Sequence, residues 1–536
     1  MVNVILKTCM ENGFLVDKEM LEMFSCLDEV SARELINFLK DMKIGEKVIT
    51  KTVFIKNVEG LRRLLSGDSY CSFNEKMGIV IDKNIVVSKI EEKIENGRVV
   101  ILSSPVVSPK KLEVGDFVKH FKARYDQMKK ILQARDFENL ASIRKIGLNR
   151  ESYTIIAAIV DKRMTKNKNL VLEVEDPSGR VGVLVNQSKK ELFDKAKNLL
   201  LDDIVAFSVS GSSEMLFAND VIFPDSYLQD KKRLDRDEWV VFSSDLHVGS
   251  KLFLEENVIK FVRWINGEEG DEKQREIAGK IRYLFLVGDN IDGVGVYPDQ
   301  ERLLSIKDIR GQYKRLAEIL RMIRNDVKII LCPGQHDGVR VAEPQPVVNE
   351  EWSSDLHGIA NLTLVSNPAL IEIDGEFKVL MYHGASMHSI INEIDELRLN
   401  RGHDFPTKVV KEMLKRRHLA PTHGSVVYIP NEKEDQLLIS TIPDVVATGD
   451  LHRADISSYN NILLVAGSCW QSITPFEEKV GNHPDPCKVP LLNLKTREIK
   501  IFDFSGNNNQ DLTKINVRGE SVGFSQQLFE SGGERV

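Results

Sequence analysis

The sequence is poor in cysteine, has no excess of positive charge, and contains no long apolar run. Six cysteines occur in 536 residues (Cys9, Cys26, Cys71, Cys332, Cys469 and Cys487), scattered and with no C-x-x-C pair. That spacing excludes a zinc finger and a disulfide framework and fits a reducing cytosol. No stretch of eighteen apolar residues exists, so no transmembrane helix is expected and the chain reads as cytoplasmic. The N-terminus, MVNVILKTCMENG, carries an acid early and has no long apolar core, which argues against a signal peptide. A net charge of −7 gives no general attraction for nucleic acid. Any such contact must come from a local patch, or from a partner that supplies the charge.

What is present is an ordinary soluble composition on a chain too long for one core. Hydrophobic residues make up 42% and charged residues 29%, which places the chain among globular proteins rather than disordered ones. The length suggests several domains. Residues 1–44 read as a small helical domain: Leu21, Phe24 and Leu27 share one helical face, and Ser31-Ala-Arg-Glu34 is a capping-box pattern opening a second helix. Residues 45–140 lack a clear period and read as a partly disordered linker ending in a helix near 114–135.

Residues 141–230 read as an OB-fold domain. Strands are expected at 153–160, 169–175 and 180–185, the last two joined by the turn Asp176-Pro-Ser-Gly179. A helix at 188–199 and two strands at 203–210 and 215–223 complete a five-stranded barrel. Such barrels bind single strands through aromatic and basic residues, but Tyr153, Phe207 and Phe217 are few, so a protein-docking role is equally open. Residues 236–503 switch to apolar strands alternating with helices, with strands at 239–242, 283–287, 327–331, 362–365, 377–382, 445–447 and 462–465. Helices are expected at 255–266, 272–281 and 299–324. Short, wholly apolar strands imply sheets covered on both faces. The fold class is therefore multidomain α+β. Residues 504–536 are polar and glycine-rich and read as a flexible tail; within it, Gln526-Gln-Leu-Phe529 is a faint match to a sliding-clamp-binding peptide.

In α/β layers, reactive groups sit just past the carboxyl ends of strands. Asp245-Leu-His247, Gly288-Asp289-Asn290, Pro333-Gly-Gln-His-Asp337, Tyr382-His383-Gly384 and Gly449-Asp-Leu-His452 all fall there. A D-x-H pair projects both ligands the same way from an extended segment. Asp289 has two carboxylate oxygens with which to bridge two ions. Mixed imidazole and carboxylate ligation suits Mn, Fe or Zn better than Ca or an all-oxygen Mg site. Two ions roughly 4 Å apart acidify a water between them and clamp phosphoryl oxygens. His336 is then free to protonate the leaving alkoxide, with Asp337 as its orienting partner. The remaining histidines, His120, His357, His388, His403, His418 and His483, lack a strand-end context and read as surface or packing residues. His423 lies in a loop that could reach the cleft.

The order of these five fragments resembles the calcineurin-like metallophosphoesterases. With the barrel and the N-terminal unit, the chain is similar to the small, exonuclease subunits of the archaeal D-family DNA polymerases, which Phe242-Ser-Ser-Asp-Leu-His-Val-Gly-Ser250, Leu414-Lys-Arg-Arg-His-Leu-Ala-Pro421 and Val465-Ala-Gly-Ser-Cys-Trp-Gln471 also resemble. The resemblance implies a 3′–5′ exonuclease that proofreads DNA primer ends in a heterodimer with a large catalytic subunit. It implies one metal on Asp245, His247, Asp289 and His452, and a second on Asp289, Gln335, His383 and Asp450, with Mn preferred and Mg, Fe or Zn alternatives. The family usually has Asn at the position of Gln335 and His at that of Asp450, and both changes fall on the second metal. A scaffold subunit with a weakened nuclease is therefore an alternative reading, and a free-standing metallophosphatase is another. Arg340, together with Lys415, Arg416 and Arg417 on a basic helix that also carries Lys408 and Lys411, is expected to guide DNA.

Overall fold

A computed structural model describes residues 98–105, 111–480 and 482–506, together with the backbone of three short strands outside them. The helical unit expected over 1–44 lies outside the described residues, as does the clamp-like Gln526–Phe529. In the N-terminal unit, β1 (Leu15–Val16) pairs in parallel with β2 (Val48–Ile49).

The second unit opens with β3 (Val99–Ser103) and a long helix, α1 (Val114–Gln133). Next come β4 (Glu151–Met164), β5 (Leu170–Asp176), β6 (Gly179–Val185), helix α2 (Lys190–Lys197), β7 (Ile204–Ser212) and β8 (Met215–Ile222). The five strands close into a barrel in the order β4-β5-β6-β8-β7, with three strands, a helix and two strands along the chain, as an OB-like reading expects. Alternate residues line its interior: Ile155, Ala157 and Ile159 from β4, Leu170, Leu172 and Val174 from β5, Val181, Val183 and Val185 from β6. The Asp176 carboxylate shapes the β5–β6 turn by accepting from the N–H groups of Ser178 and Gly179 at 2.7 and 3.0 Å.

Beyond residue 238 the chain forms two stacked sheets. Its strands are β9 (Trp239–Ser243), β10 (Ile281–Val287), β11 (Lys328–Cys332), β12 (Leu362–Leu364), β13 (Ala369–Ile373), β14 (Phe377–Met381), β15 (Val445–Thr448), β16 (Asp455–Tyr459), β17 (Ile462–Ala466), β18 (Lys488–Asn493), β19 (Ile499–Asp503) and β20 (Gln510–Asp511). One sheet runs β12-β11-β10-β9-β18-β19-β20 and the other β16-β17-β15-β14-β13-β3. Val240, Phe242, Tyr283 and Phe285 face Ile371, Val379, Met381 and Val465 across the middle layer. The alternate residues Trp239, Val241, Leu284 and Leu286 face α3 (Glu255–Ile265) and α4 (Ile309–Arg321). The second sheet buries its outer face under α5 (Met387–Glu393) and α6 (Pro406–Arg416). Each sheet is thus covered on both faces, which is why its strands read as unbroken apolar runs. In the first sheet β9, β10 and β11 are parallel; in the second β14, β15 and β17 are. The carboxyl ends of these two sets meet at one edge.

Several elements differ from the sequence reading. The helix expected over 299–324 begins only at Ile309, where the Asp308 carboxylate caps it by accepting from the Gly311 N–H at 2.6 Å. Residues 293–308 are instead a loop and a short 3-10 turn. Val99–Ser103, inside the stretch read as a linker, is an edge strand on β13, because its Val and Ile residues continue that sheet. Phe504, read as the start of a flexible tail, is fully buried against Phe261 and Trp264.

The barrel and the sandwich are joined by buried charge. Arg416, at the end of α6, pairs with Asp203 of the barrel at 3.1 Å and with Glu412, and it also donates to the carbonyl of Asn198. Arg124 of α1 reaches Asp435 at 2.5 Å. Burial pushes the Asp203 carboxyl up from its ordinary range, and Arg416 opposes that. Replacing Arg416 by Met should cost about 3–5 kcal/mol near pH 8, because it strands Asp203 without a counter-charge. A carboxyl with a raised folded pKa regains stability when protonated, so the loss should shrink as pH falls toward the ordinary carboxylate range. Chemical denaturation of both proteins across pH checks this; equal stability at pH 8 would refute the ion pair's role.

Candidate metal centre

The ligand-type residues sit in turns that their own side chains would not choose. Asp245, His247, Asp289, Asp450 and His452 all have left-handed backbone, with φ of 51°, 52°, 48°, 67° and 55°. Each costs on the order of 1–2 kcal/mol in an L-residue, and such strain persists only where the surroundings over-determine it. Here the turns are tied together: the Asp245 N–H donates to the Gly288 carbonyl and the His247 N–H to the Asp289 carbonyl, both at 3.0 Å. Glycines allow the close approach. A Cβ on Gly288, itself at φ +82°, would lie 2.1 Å from His383 Nδ1, and one on Gly449 would lie 2.5 Å from Asp245 Oδ2.

All four central imidazoles commit one nitrogen to the protein. His247 Nδ1 lies 3.1 Å from Asp292 Oδ1, and His452 Nδ1 lies 2.8 Å from Glu477 Oε1. His383 Nδ1 lies 2.8 Å from the Val287 carbonyl, and His336 Nδ1 lies 2.7 Å from the Asp292 carbonyl. Acceptors at Nδ1 fix the proton there and leave Nε2 as a lone pair aimed into the cleft. The Nε2 atoms of His247 and His452 then stand 3.2 Å apart. Two lone pairs at that separation repel unless a cation or a proton lies between them.

Groups of ligand atoms result. Asp245, His247 and His452 form one, and Asp245, Asp289 and His383 another; a third, His247, Asp292 and His336, overlaps the first through His247. Asp245 is common to the first two: its Oδ1 lies 3.4 Å from His452 Nε2 and 3.9 Å from His383 Nε2. Asp289 was expected to bridge through both oxygens. Its Oδ1 accepts the His336 N–H at 2.8 Å, while Oδ2 faces His383 Nε2 at 3.3 Å. Beside the second group, Gln335 Nε2 donates to Asp450 Oδ1 at 2.9 Å. Gln335 Oε1, Asp450 Oδ2 and His383 Nε2 are buried and, among the described residues, have no hydrogen-bond partner. Orphaned acceptors converging beside carboxylates are what a cation satisfies and an empty protein interior does not. The donor set therefore fits divalent cations held by mixed nitrogen and oxygen ligands.

The charges point the same way. Burial alone would raise Asp289, yet His383 and His336 hold its carboxyl well below the usual range. Burial alone would lower His383, yet Asp289 and Asp245 hold it well above. The pocket carries more negative charge than its imidazoles can match without taking up protons or cations.

The groups open onto a cleft of about 980 Å³ that His336 and Gln335 also line. Asp337 does not orient His336. It is buried behind it and accepts from Gly334 N, Asn290 N and Nδ2, and the Tyr313 hydroxyl; burial, with Asp289 nearby, pushes it up to about 6. The expected DNA-guiding residues do not reach the cleft either. Arg416 and Arg417 are buried, Arg417 on the carbonyls of Ile439 and Ser440. Lys415 lies over the Phe223 ring, and Arg340 donates to the carbonyls of Ala342 and Pro344. The helical pattern of that stretch turns its charges toward the barrel, which no sequence period shows. Arg302 and Arg401 are exposed cations that do line the cleft. His423 packs edge-on against the rings of Phe117, Phe121 and Tyr428 and is not among the cleft residues.

The sequence reading missed four contributors. Asp292 and Glu477 hold the ligand histidines; Asp292 was detectable as a second acid three residues after Asp289, whereas Glu477 had no motif. His388 and His403, read as surface residues, line the cleft with their rings 3.2 Å apart between Nδ1 and Nε2, and His388 Nε2 lies 3.5 Å from Asp450 Oδ2.

Comparison with known proteins bears on this geometry. A family profile for the B subunits of DNA polymerases alpha and epsilon matches residues 240–456, the span that holds Asp245 through His452. The DNA polymerase II small subunit of Methanothermobacter thermautotrophicus is 35% identical over 394 residues, covering 73% of this chain and 80% of that one. The corresponding protein of Archaeoglobus fulgidus is 32% identical over 496 residues, covering 91% and 95%. A solved archaeal phosphodiesterase aligns over 49% of this chain and 98% of its own, with 15% identity and a TM-score of 0.24, too low to carry an argument.

Asp292→Asn keeps the side-chain shape but removes the carboxylate that receives the His247 proton. It should weaken Mn²⁺ binding about 10- to 100-fold, read by titration calorimetry. Unchanged affinity would show that Asp292 does not orient a ligand.

Proposed function

Because the chain belongs to the family of DNA polymerase II small subunits, we propose that its cleft is a two-cation 3′–5′ exonuclease centre. It trims DNA primer ends for a separate large polymerase subunit. What supports the reading most is the convergence of imidazole Nε2 atoms and carboxylates from five strand ends, in an arrangement that bound cations would neutralise. Asp245, His247, Asp289 and His452 would hold one ion, and Asp289, Gln335, His383 and Asp450 the other, with Asp245 close enough to serve both. Nitrogen and oxygen donors together favour Mn, with Mg, Fe and Zn as alternatives. Such ions, when bound, supply an acidified water and neutralise the phosphoryl oxygens.

The chain's own residues do the rest. Hydrolysis adds a water oxygen to phosphorus and breaks the bond to the 3′-oxygen of the preceding nucleotide, which must take up a proton. His336 is placed to give it. To give it the ring must be the imidazolium, with one proton held at Nδ1 on the Asp292 carbonyl and the other at Nε2, which faces the cleft 4.0 Å from Asp289 Oδ2, while the His336 backbone N–H holds Asp289 Oδ1. The ring is partly exposed, so it exchanges protons with solvent between turnovers. Arg302 and Arg401 at the cleft would meet the flanking phosphates, and their contribution would weaken with salt. No helix of the described residues is long and apolar enough to cross a membrane.

The purified chain, with and without its large subunit, should release single nucleotides from a 3′-end when Mn²⁺ is added. His336→Ala should lower that rate about 100-fold or more while Mn²⁺ binding measured by calorimetry stays near wild type. Equal rates would remove His336 as the acid.

A second reading, a scaffold with a weakened nuclease, is favoured by one observation: Gln335 and Asp450 hydrogen-bond to each other at the second ion's position. The pair of changes Gln335→Asn and Asp450→His decides between them. If the natural site is impaired, nuclease activity should rise at least about tenfold; if it is competent, activity should stay level or fall.

A further inference from the structure

The loop that replaces the start of the expected long helix forms one wall of the cleft, largely apolar, with Asp299 and Arg302 as its charged members. Val296, Tyr297, Pro298 and Leu303 line the cleft on that side. Val296 is 40% exposed, a large hydrophobic surface directly beside charged ligands. The Tyr297 ring stands 6.2 Å from the His336 ring, which in turn stands 4.8 Å from His247. A path of flat and apolar surface thus leads outward from the proton donor.

This wall is built rather than loose. Gln300, fully buried, accepts the Val296 N–H at 2.8 Å and donates to the carbonyl and carboxylate of Asp292 at 2.8 and 3.1 Å. Gln312, also buried, exchanges hydrogen bonds with Gly293 at 2.8 and 3.0 Å. Gly293 packs so tightly on His336 that a Cβ there would lie 2.3 Å from the His336 carbonyl oxygen. Asp292, which orients His247 and His336, therefore also anchors the wall, and the distance from the reacting phosphate to Tyr297 is set in advance.

We infer that the 296–303 wall is a stacking platform for the nucleobase of the nucleotide being removed, with Tyr297 as its flat face. The inference rests on the nuclease reading and names what that site recognises beyond phosphate. A phosphoester cleft for sugar phosphates or inorganic groups has no use for a rigid apolar wall. A terminal nucleotide has one flat, largely apolar part, its base, held one sugar away from the phosphate. Stacking on the Tyr297 ring and contact with Val296, Pro298 and Leu303 read no base edge, so these residues accept all four bases, as removal of any terminal nucleotide requires. A surface ordered before binding loses little entropy when the base docks.

The test is calorimetry on the Mn²⁺-loaded protein with the product thymidine 5′-monophosphate and with 2-deoxyribose 5-phosphate, in which a C1 hydroxyl replaces the base. Stacking predicts that the thymidylate binds about 5- to 150-fold tighter. Tyr297→Phe should keep that ratio, and Tyr297→Ala should bring the two affinities within about twofold. Equal binding of both compounds to the unaltered protein overturns the platform and leaves the phosphate site standing. Binding of neither overturns the nuclease reading and the platform with it.

Discussion

Imidazole nitrogens and carboxylate oxygens crowd one cleft at separations where their lone pairs repel unless a proton or cation lies between them. His247 and His452 bring Nε2 to 3.2 Å, and Asp245, Asp289 and Asp450 surround His383. Nothing in the protein neutralises this crowd except protons it would otherwise not hold. The fold accepts strain to create it: five of the residues involved adopt left-handed backbone, and glycines at 288 and 449 clear the space. A protein selected only for stability would remove such a cluster, because its lone pairs repel until a proton or a cation enters. The surrounding architecture is best understood as what holds these groups in place.

Two layers do the holding. The first is the pair of sheets whose parallel strands end at one edge, so that Asp245, Asp289, Gln335, His383 and Asp450 arrive from different strands at the same place. The second is the set of acceptors behind the imidazoles. Asp292, Glu477 and the Val287 carbonyl fix which nitrogen carries the proton, and without them a histidine would offer either nitrogen. Asp292 is the most connected of these. It holds His247 through its carboxylate and His336 through its carbonyl, and through Gln300 it sets the loop that carries Tyr297. The proposed metal ligation and proton delivery would therefore share one anchor with the cleft wall.

The barrel takes a different part. Its interior is closed and apolar, and its link to the sandwich is a set of buried charges led by Arg416 and Asp203. A basic run that looks like a phosphate-binding face is here an internal fastening. The same reversal applies to His388 and His403, which have no strand-end context and yet line the cleft.

Local pattern was enough to set the order of the barrel strands and of the strands that carry the ligand-type residues, and to name the groups around Asp245, but not the strands at Ala369–Ile373 and Asp455–Tyr459. Periodicity of two and apolar runs are short-range signals, and each ligand sits in a short fragment beside one. The same signals placed the start of the α4 helix ten residues early, because helical spacing continues past the point where Asp308 caps the chain. Which charges face the cleft was settled by folding alone. Arg416 and Lys415 carry the same pattern as a solvated helix face, and burial against Asp203 and Phe223 depends on a barrel about two hundred residues away. The roles of Asp292 and Glu477 were hidden for the same reason: orienting a histidine is a contact between distant segments, and no local pattern encodes it.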